Sequence, residues 1–373
     1  MIKFMLKKNY LVLFQNLTGF YLKINIVMSE AQKLISWYNQ QSYDFPWRQN
    51  INPYNIWISE IMLQQTQVKT VIPYYMNWMK HYPDIETLQK ADINELLYLW
   101  QGLGYYSRAK NIHNAANIIF KKFNNKFPDN YKELITLPGI GDYTASMILS
   151  ICFNKYDHVP IDGNIKRIMS RLNILSLKQE TLQNYKISTR NYIDKEKPGD
   201  SIQALMDIGR EICTPRLPKC DCCPIYKNCK AQMQGTMENY PVRKKKKHIP
   251  HYDIAVGLIW KENKFLISKR PQDKLLGNLW ELPGGKLEPR ESMQECLKRE
   301  IKEELDIKIK KIKKIGLIKH QYSHMKLTIT LFTCIYCSGT AKPLASQEVK
   351  WITMKEKKSF AFPRATHKLF ELL

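Results

Sequence analysis

The sequence predicts two domains of different class, an all-α domain followed by an α+β domain. Three observations carry this reading. The chain has 373 residues, too long for one ordinary domain. From 29 to 230 apolar side chains recur at spacings of three and four, and no convincing alternating strand interrupts them. Beyond residue 250 the pattern changes to apolar runs and runs of period two.

The first 28 residues hold no acidic residue, and LVLF is their only strong apolar run. A signal peptide needs a longer apolar stretch and a small-residue cleavage site. A transit peptide usually carries arginine, which this segment lacks. Residues 1–28 are read as an extension, untranslated or disordered, with Met28 as the expected start. SEAQKLISWYNQQ then reads as an amphipathic helix with Ser29 as N-cap. Helical periodicity follows over 54–69, 93–100, 109–120 and 143–153.

LPGIGDYTA at 137–145 matches a helix-hairpin-helix. Gly139 and Gly141 allow a tight turn and leave backbone N–H groups bare at the next helix start. Such groups, with the helix dipole, bind a phosphate without reading bases. Asp162 follows Gly141 by 21 residues, in PIDGNIKR, where it also suits an Asx-type helix cap.

Cys213, Cys220, Cys223 and Cys229 read C-x6-C-x2-C-x5-C, with Cys222 left over. Thiolates this close in sequence can converge on one metal centre, and an iron–sulfur cluster needs such a set. Zinc usually shows paired C-x2-C units some distance apart, and one such unit is present here. Nine cysteines, an odd count without a sign of secretion, argue against a disulfide framework. Residues 234–250, QGTMENYPVRKKKKHIP, read as a basic linker. In the second domain YDIAVGLIW, KFLISKR and KLTITLFTCIY read as strands. One helix follows Glu291 and another ends the chain. There is no internal repeat and no transmembrane span. The balance of 58 Lys+Arg against 34 Asp+Glu leaves a net charge of +24, which favours polyanions.

WISEIMLQQTQV, FPWR at 45–48, GLGYYSRA at 102–109 and DGN at 162–164, with the cysteine spacing, closely resemble the MutY family of DNA glycosylases. The resemblance implies an all-α helix-hairpin-helix glycosylase domain, residues 29–233, with a [4Fe–4S] loop at 213–229. It implies a Nudix-like α+β lesion-recognition domain at 251–373. The implied substrate is adenine mispaired with 8-oxoguanine, or with guanine, in double-stranded DNA. The expected protein is monofunctional, monomeric, without a membrane partner, and cytoplasmic at the nucleoid. The implied cluster ligands are the four cysteines.

The resemblance also assigns roles. Glu60 would protonate the adenine ring, since a carboxyl among Trp57, Ile61 and Leu63 has its pKa raised if buried. Asp162 would face the oxocarbenium-like sugar as a carboxylate. Tyr143 would orient both. It stands where lyase-active relatives carry a Schiff-base lysine, which argues against an endonuclease III-like glycosylase/lyase. Gln65 and Tyr105 would enter the duplex beside the mismatch. Tyr322, Ser323 and His324 take the place of the family's Phe-Ser-His lesion-reading turn.

One departure stands out. GKLEPRESMQECLKREIKEELDI at 285–307 nearly completes a Nudix box, with Asp306 in place of the late glycine. Glu300, Glu303 and Glu304 are then candidate Mg²⁺ ligands on one helical face. A second activity, hydrolysis of oxidised nucleoside triphosphates, is the alternative this raises. Aspartate at 306 would have to accept a left-handed helix end.

Overall fold

The computed structural model describes residues 28–41, 43–242 and 248–373. The extension before Met28 and the basic run Arg243 to Lys247 lie outside the described residues.

The first half is helical, as its periodicity predicts. Helix Glu30–Tyr38 starts on Ser29, whose side chain forms a reciprocal capping box with Gln32. The helices bury two adjacent cores. One is built by Pro53–Leu63, Val68–His81, Ile93–Leu99 and Ser107–Lys122, through residues such as Ile56, Trp78, Leu96 and Ile112. The other is built by Gly163–Asn173, Leu182–Arg190 and Pro198–Glu211, with Leu34 of the first helix. Helix Asp142–Cys152 serves both. Ala145, Ile148 and Leu149 enter the first core and Met147 the second. A helix apolar on all sides belongs between two layers, so the residue after the hairpin is delivered to the seam.

The run 54–69 is not one helix. It breaks between Leu63 and Val68, where Gln65 takes a left-handed φ of 58°. Gln65 thus sits on an exposed corner instead of a helix face.

The second half is a mixed sheet. Its strands are β1 His251–Lys261, β2 Lys264–Lys269, β3 Trp280–Glu281, β4 Gly284–Lys286, β5 Ile307–Gln321, β6 Lys326–Gly339 and β7 Glu348–Ile352. The main order is β3-β2-β1-β6-β5, with β4 on β1 and β7 on β2. Only the β1–β6 pair is parallel. Alternate residues of β1 face opposite sides. Ala255 and Ile259 meet Leu297 and Ile301 of helix Met293–Leu305 on one side. Val256 and Leu258 meet Leu369 and Phe370 of helix Arg364–Phe370 on the other.

Asp306 ends helix Met293–Leu305 in the left-handed region, at φ 56°, as the missing glycine requires. The reading of strands at 252–260, 264–270 and 326–336 omits β5. Ile307–Gln321 carries three register shifts against β6, and each bulge breaks the period-two signal. The segment before Arg243 is not a free tether. Arg171 Nε donates to Met237 O at 2.8 Å, and Val242 N donates to Glu180 Oε1 at 2.9 Å. The two halves touch directly: Leu279 and Ala361 join the first helical core. Among the described residues no helix is long and apolar enough to cross a membrane.

Candidate active site

Glu60, Tyr143 and Asp162 line one cavity of about 910 Å³ at the seam between the two helical cores. Each arrives on a different element. Glu60 lies on Pro53–Leu63, and its residue is 7% exposed. Tyr143 is the second residue of Asp142–Cys152, so the hairpin and this phenol share one rigid element. Asp162 is the N-cap of Gly163–Asn173 and accepts from Ile165 N at 2.7 Å. The cap reading of Asp162 and its place in the cavity hold together.

Tyr143 Oη donates to Glu60 Oε2 at 2.8 Å. Burial raises Glu60 to about 7, and the nearby Asp162 adds to this. The Tyr143 hydrogen bond and Arg48 pull the other way. Glu60 therefore keeps its proton well above the usual carboxylate range. Burial and the two carboxylates hold Tyr143 far up, so it stays a neutral donor. Burial also pushes Asp162 up, while the Ile165 and Asn164 backbone N–H groups and Arg167 favour its charge. The two carboxyls thus differ in kind. Glu60 receives one phenol, whereas Asp162 receives the open end of a helix.

Three charged residues of the cavity, Arg48, Asp207 and Arg210, carry no role in the sequence reading. Arg48 Nη1 and Nη2 donate to Asp207 Oδ2 and Oδ1 at 2.6 and 3.2 Å. Arg210 adds a contact to Asp207 Oδ1 at 3.1 Å. Asp207 is 1% exposed, and a buried charge needs such partners. FPWR contains Arg48, but nothing in the chain signals that a helix residue 159 positions later will meet it.

The hairpin has the predicted form. Gly139 takes φ 78°, and a Cβ there would lie 2.8 Å from Asn111 Cβ. Gly141 is different. Its φ of −93° suits any residue, and a Cβ would meet nothing within 4 Å. Its value is open space at a helix N-terminus without a side-chain cap.

Gln65 and Tyr105 are both exposed, and both take left-handed φ, 58° and 48°. Such backbone persists in non-glycine residues only where neighbours over-determine it, commonly at functional sites. Arg108 is the neighbour here. Nη1 donates to the carbonyls of Ile61, Met62 and Gln64 at 2.8, 3.1 and 2.6 Å. Nη2 donates to those of Leu103 and Gly104 at 3.2 and 3.1 Å. One buried guanidinium ties the two corners together.

Cys213, Cys220, Cys223 and Cys229 line one small cavity with Arg171 and Tyr226. Cys222 is exposed and outside it. Arg171 Nη1 donates to Cys213 Sγ at 3.2 Å. Burial raises Cys223 to about 12, and Cys220 and Cys229 also rise. Four thiols lining one cavity beside a buried cation suit a cationic inorganic core that would hold them as thiolates. Among the described residues no group of His, Cys, Asp or Glu is set to hold a single metal ion.

Ser323 and His324 are exposed in the turn between β5 and β6, closed by Tyr322 N donating to Met325 O at 2.9 Å. Glu300, Glu303 and Glu304 do not share one open face. Arg299 Nη1 engages Glu300 and Glu303 at 3.1 and 3.3 Å, while Glu304 turns inward and accepts from Gly284 N at 3.2 Å. Burial raises Glu304 to about 7.

The chain is 36% identical over 350 residues to the adenine DNA glycosylase of Buchnera aphidicola from Acyrthosiphon pisum, covering 91% of this chain and 96% of that one. It belongs to the adenine DNA glycosylase family. The human member is 29% identical, covering 91% of this chain and 73% of its own. A family model described as HhH-GPD superfamily base excision DNA repair protein matches residues 58–190, and a NUDIX domain model matches 255–372. A solved thermostable thymine-DNA glycosylase is similar at 26% identity and a TM-score of 0.50. The match covers 55% of this chain and 95% of that one. The family's two domains account for both halves of the fold.

Proposed function

We propose that the chain is a monofunctional glycosylase that hydrolyses the N-glycosidic bond of adenine opposite 8-oxoguanine, or opposite guanine, in duplex DNA. The observation that carries this is the meeting of Glu60, Tyr143 and Asp162 in one cavity. Its volume of about 910 Å³ suits an extruded nucleotide. Glu60 gives its proton to a ring nitrogen, and the C1′–N bond breaks with its electron pair leaving on adenine. Asp162, ionised, stabilises the oxocarbenium-like sugar. Water then adds to C1′ and returns a proton to a carboxylate. Tyr143 offers no amine, so no Schiff base forms.

The Gly139–Gly141 hairpin grips the backbone, and Gln65 and Tyr105 fill the gap left by adenine. Cys213, Cys220, Cys223 and Cys229 would hold a [4Fe–4S] cluster. Bound there, the cluster supplies a rigid, charged cross-link. Arg171 and Arg167 of helix Gly163–Asn173 brace that segment, through Cys213 Sγ and through Cys213 O at 2.6 Å. Asp162 heads the same helix, so the loop supports the catalytic carboxylate from behind. The direct test is base release from a duplex holding adenine opposite 8-oxoguanine.

The raised pKa of Glu60 has a signed consequence. The acid form is lost as pH rises through about 7. Single-turnover base release should be level below that point and fall by about one log unit per pH unit above it. A flat profile into the alkaline range would remove Glu60 as the proton donor.

Lesion reading is proposed for the Tyr322–His324 turn. Ser323→Ala with His324→Ala should weaken the preference for 8-oxoguanine over guanine opposite adenine. Each lost hydrogen bond contributes about 0.5–1.5 kcal/mol. The measurement is the ratio of single-turnover rates on the two duplexes, and an equal loss on both would assign the effect to folding damage.

A further inference from the structure

The loop that presents Tyr105 is held on two sides. Within the helical half, Tyr74 Oη donates to Gln101 O at 2.9 Å and Trp100 Nε1 to Gly104 O at 3.0 Å. Arg108 adds its bonds to Leu103 and Gly104. Toward the second domain the loop reaches one residue twice. Phe362 N donates to Gln101 Oε1 at 3.2 Å, and Tyr106 Oη donates to Phe362 O at 3.1 Å. Phe362 is fully buried and packs on Phe370 at 5.3 Å between centroids. Tyr106 itself is 3% exposed. It directly follows Tyr105, and the Tyr322 phenol is close enough to add to the upward push on its own.

We infer that Gln101 and Tyr106 form a latch that sets the lesion-reading turn in register with Tyr105. They are positioning residues for specificity toward 8-oxoguanine. The inference rests on the proposed reading of the Tyr322–His324 turn. Two bonds to the amide and carbonyl of one buried residue fix direction as well as distance. A buried carbonyl deprived of its donor is costly, so the contact resists sliding. Cutting the latch leaves the loop its Tyr74, Trp100 and Arg108 bonds, and Gln101→Leu cuts it without touching the bond that Gly102 N donates to Tyr106 Oη at 3.4 Å. Loss of the latch therefore loosens the register of the second domain on this loop, while Leu279 and Ala361 still pack on the helical core, and leaves the Tyr105 corner in place.

The experiment uses the full chain with Tyr106→Phe and, separately, Gln101→Leu. Single-turnover base release is measured on duplexes with adenine opposite 8-oxoguanine and opposite guanine, beside a thermal melt. Tyr106→Phe should lower the ratio of the two rates about two- to tenfold, with the rate opposite guanine unchanged. Gln101→Leu should act in the same direction. An unchanged ratio, or an equal loss on both duplexes, overturns the latch. The Ser323→Ala, His324→Ala variant separates the two levels. If it loses preference while Tyr106→Phe keeps it, the latch alone fails. If it keeps full preference, the reading of the turn fails and the latch with it.

Discussion

Replacing Glu60 with glutamine should leave binding to the mispaired duplex near normal and slow adenine release by about a hundred- to ten-thousand-fold. The amide keeps the shape of the carboxyl and can still accept the Tyr143 hydrogen bond, which is 2.8 Å in the native chain. It cannot transfer a proton. Binding is read by anisotropy and release by single turnover, and near-normal release would take Glu60 out of the mechanism. A melt gives an independent check on burial. Glu60 rises from an ordinary 4.5 to about 7 in the folded chain, so the native state holds the extra proton. Its folded state loses stability as pH climbs from 4.5 through about 7. Glu60→Gln lacks that loss, and its Tm should gain on the native protein's over this window.

Cys220→Ser should reduce iron content and DNA binding together, whereas Cys222→Ser should leave both intact. Purified native protein should be brown and hold about four irons per chain. The asymmetry follows from placement: Cys220 lines the shared cavity and Cys222 faces solvent. Loss of the cluster would also unbrace Arg171 and Arg167, and through their helix Asp162. Base release on whatever duplex still binds should therefore fall as well. If Cys222 proved essential for iron and Cys220 dispensable, the ligand assignment would be wrong.

Local patterns in the chain were informative where structure is decided by neighbours. Ser29 and Gln32 cap the first helix because both partners lie within one turn. Asp306 ends its helix left-handed because only a few residue types tolerate that backbone. The hairpin at 137–141 follows from the positive φ and the close approach to Asn111 that a glycine at 139 accommodates. Where periodicity is broken by a bulge or corner, the reading failed. Gln65 interrupts a run that looks helical, and the register shifts of β5 erase its alternation. The partners of the acidic helix face come from tertiary packing. Spacing places Glu300, Glu303 and Glu304 near one another but says nothing of Arg299 or the Gly284 N–H.

By itself the sequence determined the two fold classes, the family, the hairpin and the residue types able to carry the chemistry. Those follow from short-range spacing and from motifs a few residues long. Only the tertiary structure decided which side chains meet. Glu60 and Tyr143 are 83 positions apart, and Arg48 and Asp207 are 159 apart. Tyr106 finds Phe362 across 256. It also decided which acid can hold a proton at neutral pH. A carboxyl's pKa is set by the water removed around it and the donors brought to it, and both are properties of packing between distant segments.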